Sequence, residues 1–393
     1  MSVLTLLPNG PYRRGMADSA PNSPASQVSP GSPVLPVLPV LPVLPVPSAD
    51  LEALVRSTMA SLVDQLLPTA DNDGKLDNRD LIRSLLRTTM AMAADAVAGN
   101  ASRLDLKIAA SALTEMRGGY LMLGPHRHRQ KVTIFGSART QPSDPLYILT
   151  REVAAAMAAQ DWMVVTGAGP GIMAAGLEGA GREHALGVAI RLPFESEANA
   201  FLHPENLVDM RYFFTRKLAL LRESQGFIVM PGGFGTLDEA FELLTLVQTG
   251  KAEPVPIVFL GLGHGFWTAW KTFVEKVVEE GYISSTDMSL FTVTNSVEEA
   301  VNEITNFYRN YHSLRWSGDT LILRLLRAPT PEQLASLNVE FGMHAGESGI
   351  VVSTPLPVEL ADHDHLDLAR IILQFNRRQP GRLRLLIDAC NQF

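Results

Sequence analysis

The sequence predicts an α/β fold, a Rossmann-like doubly wound parallel sheet, and three observations support this prediction. Short apolar runs recur between residues 130 and 311, glycine-rich turns follow several of them, and segments with helical spacing come next. Strands that alternate with helices over short connections favour a parallel sheet covered on both faces. An N-terminal helical segment precedes this region, and a small C-terminal α+β extension follows it.

The first two of four predicted regions precede the sheet. Residues 1–49 are rich in proline and serine, and the repeat VLPVLPVLPVLPVP at 34–47 indicates an extended polyproline arm. Proline at every third position excludes both helices and sheet ladders. Residues 50–129 have helical apolar spacing, with a break at Gly99 and Asn100.

The other two regions are the α/β domain at 130–311 and an extension at 312–393. In the extension we predict a strand at 351–355, a helix at 366–375 and another short element at 383–390. The run Asp362 to His365 has side chains that could bind metal, but a solvated loop is the simpler interpretation.

The elements of the central region follow from apolar runs and their spacing. The predicted strands are residues 132–135, 163–166, 187–190, 207–210, 226–230 and 256–260. The predicted helices begin after Pro145, run over 172–184 and 213–224, begin at Thr236, and run over 266–280.

Composition excludes several classes of protein. The formal charge of -8 and the pI near 5.6 disfavour nucleic-acid binding, because no basic excess exists to neutralise a phosphate backbone. A single cysteine, Cys390, excludes an internal disulfide and is typical of a reducing cytoplasm. No apolar run is long enough to span a bilayer, so we expect a cytoplasmic protein without a membrane partner.

The most informative stretch is GFIVMPGGFGTLDEAFELLTLVQTGK at 226–251. A buried strand, a glycine turn and a helix follow one another, which indicates a phosphate cradle. Glycines let backbone N–H groups approach an anion, and the helix start adds unpaired donors and a positive dipole end. The alternative is purely structural, because Thr236 and Glu239 also fit a capping box.

The glycines at 167, 169 and 171 do not fit the dinucleotide fingerprint. They give GxGxG where the fingerprint needs GxGxxG, and Arg191 follows the next strand where an acidic residue is expected. NAD binding is therefore disfavoured. Gly176 and Gly179 could instead be glycines because they permit close packing of a helix on a strand, and the sequence leaves this alternative open.

Four motifs in order resemble the LOG ("Lonely guy") family, which comprises cytokinin-activating phosphoribohydrolases and bacterial nucleotide 5'-monophosphate nucleosidases. The motifs are FGSAR at 135–139, TGAGPGIM at 166–173, RYFFTRK at 211–217 and PGGFGTLDE at 231–239. The resemblance covers roughly residues 130–310. It implies a small-molecule nucleotide substrate, no cofactor, no catalytic metal and a homodimer or higher homo-oligomer.

The resemblance also implies roles for individual residues. Glu239 orients ribose hydroxyls or the attacking water, and Arg216 either holds the phosphate or supports the departing base. Arg216 could instead be a cation on the helix surface. The resemblance further implies a set of substrate- and phosphate-binding residues: Gly136, Ser137, Gly167, Met173, Lys217, Gly232, Gly233, Gly235 and Thr236.

The leading hypothesis is hydrolysis of the N-glycosidic bond of a nucleoside 5'-monophosphate, AMP-like or N6-modified, to ribose 5-phosphate and free base. The alternative is a non-catalytic nucleotide or cofactor carrier on the same fold, as in the molybdenum-cofactor carriers that resemble the family. Hydrolysis needs both Arg216 and Glu239, whereas a carrier can lose them. Lysine decarboxylation, a label also given to this family, needs a Schiff-base lysine with pyridoxal phosphate, which the pattern around Lys217 does not suggest.

Overall fold

The computed structural model describes residues 79–190, 200–263, 265–344, 346 and 349–393, together with Leu54, Ser57, Thr58 and Ser61. These residues belong to one compact unit, residues 52–393. The predicted proline-rich arm lies outside the described residues, as does Arg191.

The described residues of the central region form a seven-stranded sheet in which every pair of neighbours is parallel. The strand order is β4-β3-β2-β1-β5-β6-β7. The strands are β1 Lys131–Phe135, β2 Met163–Thr166, β3 Ala185–Ile190, β4 Leu207–Met210, β5 Gly226–Val229, β6 Ile257–Leu260 and β7 Thr292–Thr294. The predicted fold class is confirmed, and β7, which is short and polar, was missed.

Helices cover both faces of this sheet. The helices up to the end of this region are α1 Arg79–Val97, α2 Arg103–Leu123, α3 Pro145–Ala159, α4 Ile172–Ala180, α5 Phe213–Arg222, α6 Phe234–Gln248, α7 Phe266–Glu279 and α8 Val297–Asn306. Helix α1 packs on α2, and the other helices flank the sheet. Successive residues of a strand point to opposite faces. Phe227 and Val229 of β5 therefore join the core shared with Trp267, and Ile228 joins the core on the other face.

Two details of the helices differ from the prediction. Helix α6 begins at Phe234, with Gly233 as its N-cap and no side-chain cap bond, so the capping box of Thr236 with Glu239 is wrong. Thr236 lies inside the first turn instead. Helix α4 ends at Ala180, because Gly181 with φ 70° turns the chain into a 3₁₀ turn at Arg182–His184.

Gly179 permits close packing of one helix on another, and not of a helix on a strand as predicted. A Cβ at this position would lie 2.1 Å from the backbone oxygen of Arg151, and helices α3 and α4 pack closely here. Gly176 is less crowded, since its Cβ would lie 3.1 Å from Cγ2 of Thr166.

The C-terminal extension contains an antiparallel sheet in the order β10-β11-β9-β8. Its elements are β8 Tyr311–Ser317, β9 Thr320–Leu325, α9 Pro331–Phe341, β10 Val351–Val352, α10 Pro357–Asp362, β11 Ala369–Gln374 and α11 Pro380–Cys390. The predicted helix at 366–375 is wrong, because residues 369–374 pair with strands on both sides. Ile371 and Leu373 alternate into the core, a period of two that a short apolar run hides.

A buried ion network holds the extension together. Arg324 Nε lies 2.9 Å from Glu359 Oε1, Arg370 Nη1 lies 2.7 Å from the same oxygen, and all three side chains are buried. Asp364 accepts hydrogen bonds from Arg315 and Arg324 at 2.7 and 2.6 Å. The acids of the predicted metal-capable run thus pair with arginines, and in the described part of the chain no group of three potential ligands could hold a metal.

Two further features bear on the sequence-based predictions. Cys390 is buried, and burial raises the pKa of its thiol to about 12, as expected for an inert cysteine. Within the residues that the structure describes, every helix is too short or too polar to cross a membrane.

Candidate active site

A cavity of about 1730 Å³ lies at the carboxyl ends of the central strands. The chain runs outward from β1 in one direction to β4, and then from β5 in the other direction. The junction of β1 and β5 is therefore a topological switch point, where open α/β sheets bind ligands. Ten of the candidate residues line the cavity: Gly136, Ser137, Gly167, Met173, Arg216, Gly232, Gly233, Gly235, Thr236 and Glu239.

Backbone bonds lock the glycine turns of the site to one another. The N–H of Ser137 donates to the oxygen of Pro231 at 3.2 Å, and the N–H of Ile172 donates to the oxygen of Ser137 at 2.9 Å. Gly171 has φ 69°, and a Cβ there would lie 2.3 Å from the oxygen of Ser137. The turns after β1, β2 and β5 are thus joined by backbone hydrogen bonds, and at Gly171 they pack too closely for a side chain.

The loop before α6 presents its backbone to the cavity. The first intrahelical bonds run from Thr236 and Leu237 to the oxygen of Gly233, so the N–H groups of Phe234 and Gly235 have no acceptor within the helix. A Cβ built on Gly233 or Gly235 would meet nothing within 4 Å. Open donors at the positive end of a helix dipole favour a bound anion, so residues 232–236 are a candidate anion-binding corner.

Arg216 projects from α5 across the ends of two strands. Its Nε donates to the oxygen of Val188 at 2.9 Å, and its Nη2 donates to the oxygen of Gly167 at 3.2 Å. The Met173 sulfur lies 3.9 Å from Nη2. The guanidinium is therefore held in the wall of the cavity, and the alternative of a helix-surface cation is wrong.

Glu239 lies on α6 in the same wall and is only 6% exposed. Burial raises the pKa of its carboxyl to about 7, although the positive charges of Lys217 and Arg216 oppose the rise. Its Oε2 makes no hydrogen bond to any residue in the described part of the chain, and Lys217 Nζ stays 3.9 Å away. The side chain can therefore accept a proton or a hydrogen bond from a ligand.

Lys217 is the candidate that the structure places differently. Its ammonium lies 2.8 Å from Asp238 Oδ2 and 3.1 Å from Glu242 Oε2, and it is not among the residues that line the cavity. Burial lowers the pKa of Lys217, but the hydrogen bond to Asp238 and the charge of Glu239 outweigh it, so the net pKa is raised. Lys217 is thus a protonated neighbour of Glu239.

Arg139 and Phe234 are among the cavity residues that the sequence-based selection missed. Arg139 is exposed in the cavity wall, and Phe234 is 93% exposed beside the glycines. Arg139 lies in the motif FGSAR and Phe234 in the motif PGGFGTLDE, so both could have been selected as site residues from the motifs. An arginine at the end of β1 adds positive charge to the site, which suits an anionic ligand.

Comparison with known proteins finds one matching family model and several similar curated proteins. Residues 170–304 match the family model described as "Possible lysine decarboxylase". The chain is 30% identical over 129 residues to the cytokinin riboside 5'-monophosphate phosphoribohydrolase LOG1 of Arabidopsis thaliana, which is 32% of this chain and 58% of that protein. It is 33% identical over 103 residues to the probable phosphoribohydrolase LOGL3 of Oryza sativa subsp. japonica, which is 26% of this chain and 47% of that protein.

The chain thus spans about half the length of these curated relatives. Among solved structures, the molybdenum cofactor carrier protein of Chlamydomonas reinhardtii is similar at 20% identity and a TM-score of 0.32, over 44% of this chain and 94% of that chain. The matched range contains the motifs at 211–217 and 231–239 and the end of the motif at 166–173. The central domain is therefore similar to phosphoribohydrolases of the LOG family.

Proposed function

We propose that this protein hydrolyses the N-glycosidic bond of a nucleoside 5'-monophosphate with an adenine or N6-modified adenine base. The products are ribose 5-phosphate and the free base. The observation that carries the proposal is the Glu239 carboxyl, which is buried, lines the cavity and lies on the same helix whose first turn presents open N–H groups. A carboxylate in the same cavity as an anion-binding corner suits this reaction.

The 5'-phosphate binds the corner formed by residues 232–236. Its negative charge is stabilised by the N–H groups of the loop and by the helix dipole. This remote anchor fixes the ribose, so that binding energy from the phosphate orients the anomeric carbon for reaction.

The reaction breaks the bond between C1' and the base nitrogen, and the electron pair leaves with the base. The sugar becomes cationic and resembles an oxocarbenium ion, as in glycoside hydrolysis. The Glu239 carboxylate stabilises this cation, orients the water that attacks C1' and takes a proton from it. The departing base takes up a proton from solvent and Glu239 releases the proton that it gained, so that one water is divided between the two products.

Arg216 acts on the base side of the sugar. Its guanidinium is anchored at the ends of β2 and β3, whereas the phosphate corner follows β5. Strand β1 lies between β2 and β5, so we place the guanidinium on the side of the base and not at the phosphate corner. A fixed positive charge at this position opposes the electron density that develops on the departing base.

The description as a lysine decarboxylase finds no support in Lys217. A lysine that forms a Schiff base must lose its proton, whereas the carboxylates around Lys217 raise its pKa. The lysine instead lowers the pKa of Glu239 and so favours the carboxylate form.

The test is to incubate the purified full-length chain with AMP, N6-modified AMP and other nucleoside monophosphates, and to measure ribose 5-phosphate and free base. The proposal predicts equal amounts of both products. Adenosine, which lacks the anchoring phosphate, should react at least about 100-fold more slowly. Tight binding of AMP without any product would instead support the carrier hypothesis.

A further inference from the structure

The N-terminal helix α2 contributes to the start of the helix that carries Arg216. The N-cap of α5 is Tyr212, whose side chain makes no cap hydrogen bond. Instead, the N–H of Tyr212 donates to Glu115 Oε2 at 3.2 Å, and the hydroxyl of Thr215 donates to the same oxygen at 2.6 Å. Glu115 thus caps α5 from another element.

This contact has the charge and burial that make a cap effective. A carboxylate at the positive end of α5 is stabilised by the helix dipole. Thr215 is only 2% exposed, so if Glu115 were removed, water could not easily take its place as the acceptor for the Thr215 hydroxyl. Arg216 follows immediately, and its own N–H makes a first-turn bond to the oxygen of Tyr212 at 3.3 Å.

Glu115 is held in place by the packing of α2 on the edge of the sheet. A Cβ on Gly118 would lie 3.3 Å from Cγ2 of Val208, and one on Gly119 would lie 3.2 Å from Cε of Met210, so α2 approaches β4 closely. Further along, the guanidinium of Arg222 lies 5.3 Å from the centre of the Tyr120 ring. The carboxylate therefore comes from a rigid neighbour of α5.

We infer that Glu115 is a positioning residue for the active site: by capping α5 it fixes the turn from which Arg216 reaches Gly167 and Val188. The expected effect of Glu115 on the rate of hydrolysis rests on the proposed function. It also gives the helical segment, which lies outside the family match at 170–304, a part in the reaction. Arg216 touches the substrate, and Glu115 acts through it.

Variants of both partners test the inference. Glu115→Ala removes both bonds, Thr215→Val removes one of them at nearly constant volume, and Glu115→Gln keeps an oxygen that accepts both. Ser102→Ala is the matched control, because Ser102 caps the start of α2 itself and bonds to Asp105. Each variant is assayed for kcat and KM with AMP and for amide hydrogen exchange over residues 212–217.

For Glu115→Ala we expect kcat to fall roughly tenfold, the size of a lost helix cap, with KM changed less. Exchange over 212–217 should accelerate by a similar factor. Thr215→Val should show a smaller effect in the same direction, and Glu115→Gln should retain most of the activity. Ser102→Ala should leave kcat and the exchange of α5 unchanged.

Unchanged exchange in Glu115→Ala would overturn the capping role, and faster exchange with unchanged kcat would overturn the coupling to Arg216. If Glu115→Ala fails to fold, Thr215→Val decides by the same two criteria. If the wild-type chain releases no ribose 5-phosphate, the proposed function fails by itself. In that case exchange over 212–217 and the Kd of AMP in the same variants still test whether Glu115 positions Arg216.

Discussion

The guanidinium of Arg216 occupies the space that a side chain at Gly167 would need. A Cβ on Gly167 would lie 1.8 Å from Nη2 of Arg216, and the oxygen of Gly167 accepts a hydrogen bond from that nitrogen. Gly167 does not have a positive φ, so the turn itself does not demand glycine. The arginine does.

Gly167→Ala should therefore displace Arg216 without destroying the fold. We expect turnover of AMP to fall about 100-fold, the scale on which one positioned transition-state donor acts. Gly124→Ala is the control, because a Cβ there meets nothing within 4 Å and the residue lies outside the cavity. Wild-type turnover in Gly167→Ala would show that the position of Arg216 does not matter.

Glu239→Gln should remove hydrolysis while leaving binding intact. Losing a general base typically lowers a rate by about 10² to 10⁴. The Kd of AMP should change only a few-fold, because the phosphate corner is untouched. Glu242→Gln is a matched control, since Glu242 lies on the same helix and also pairs with Lys217 but is half exposed. If the two variants lose activity equally, the special role of Glu239 is excluded.

The rate should depend on pH through the Glu239 carboxyl. Burial raises the pKa of this group to about 7, and the reaction needs the carboxylate. The value of kcat/KM should thus rise with pH below about 7 and become constant above about 8.

The phosphate of the substrate titrates near pH 6, so a second measurement assigns the break in this profile. Lys217 lowers the pKa of Glu239, and Lys217→Met should therefore move the break to higher pH. A break that stays in place or moves to lower pH would assign it to another group.

The same pKa predicts how stability depends on pH. The folded protein holds the Glu239 proton more tightly than the unfolded chain, whose carboxyl has a pKa near 4.5. Between pH 4.5 and about 7 the folded state binds more protons, so the contribution of Glu239 to the free energy of unfolding falls as pH rises.

Glu239→Gln resembles the neutral carboxyl and escapes this loss. At pH 8 it should be more stable than the wild type by about 1 to 3 kcal/mol, and at pH 4 the two should agree. Urea unfolding at both pH values measures the difference. A variant that is less stable than the wild type at pH 8 would contradict the burial of the charged carboxylate.

Features set by local sequence were predicted well. The strands from Lys131 to Leu260 are mostly apolar runs, and glycine or proline follows β1, β2, β5 and β6 within two residues, so their positions follow from neighbouring residues. Strand β11 was mistaken for a helix because its apolar residues fit both periods, and only pairing with β9 and β10 decides between them. The start of α6 was misplaced because a glycine N-cap leaves no polar signal.

In the candidate site, too, residues that are close in the sequence were predicted and contacts between distant residues were not. Loop residues such as Gly232 and Thr236 are contiguous in the sequence, and the motif located them at the cavity. The environment of Lys217 depends on the packing of α5 beside α6, and so the sequence could not show that its ammonium pairs with Asp238 and Glu242. Glu115 was missed for the same reason, since about a hundred residues separate it from Thr215.

In the proposed reaction, a 5'-phosphate bound by the N–H groups of residues 232–236 places the anomeric carbon beside Glu239. A crystal structure of Glu239→Gln with AMP would measure this placement. We expect phosphate oxygens within about 3 Å of the N–H groups of the loop and C1' next to the amide at 239. A phosphate bound at Arg139 or at Arg216, with the ribose turned away from residue 239, would contradict it.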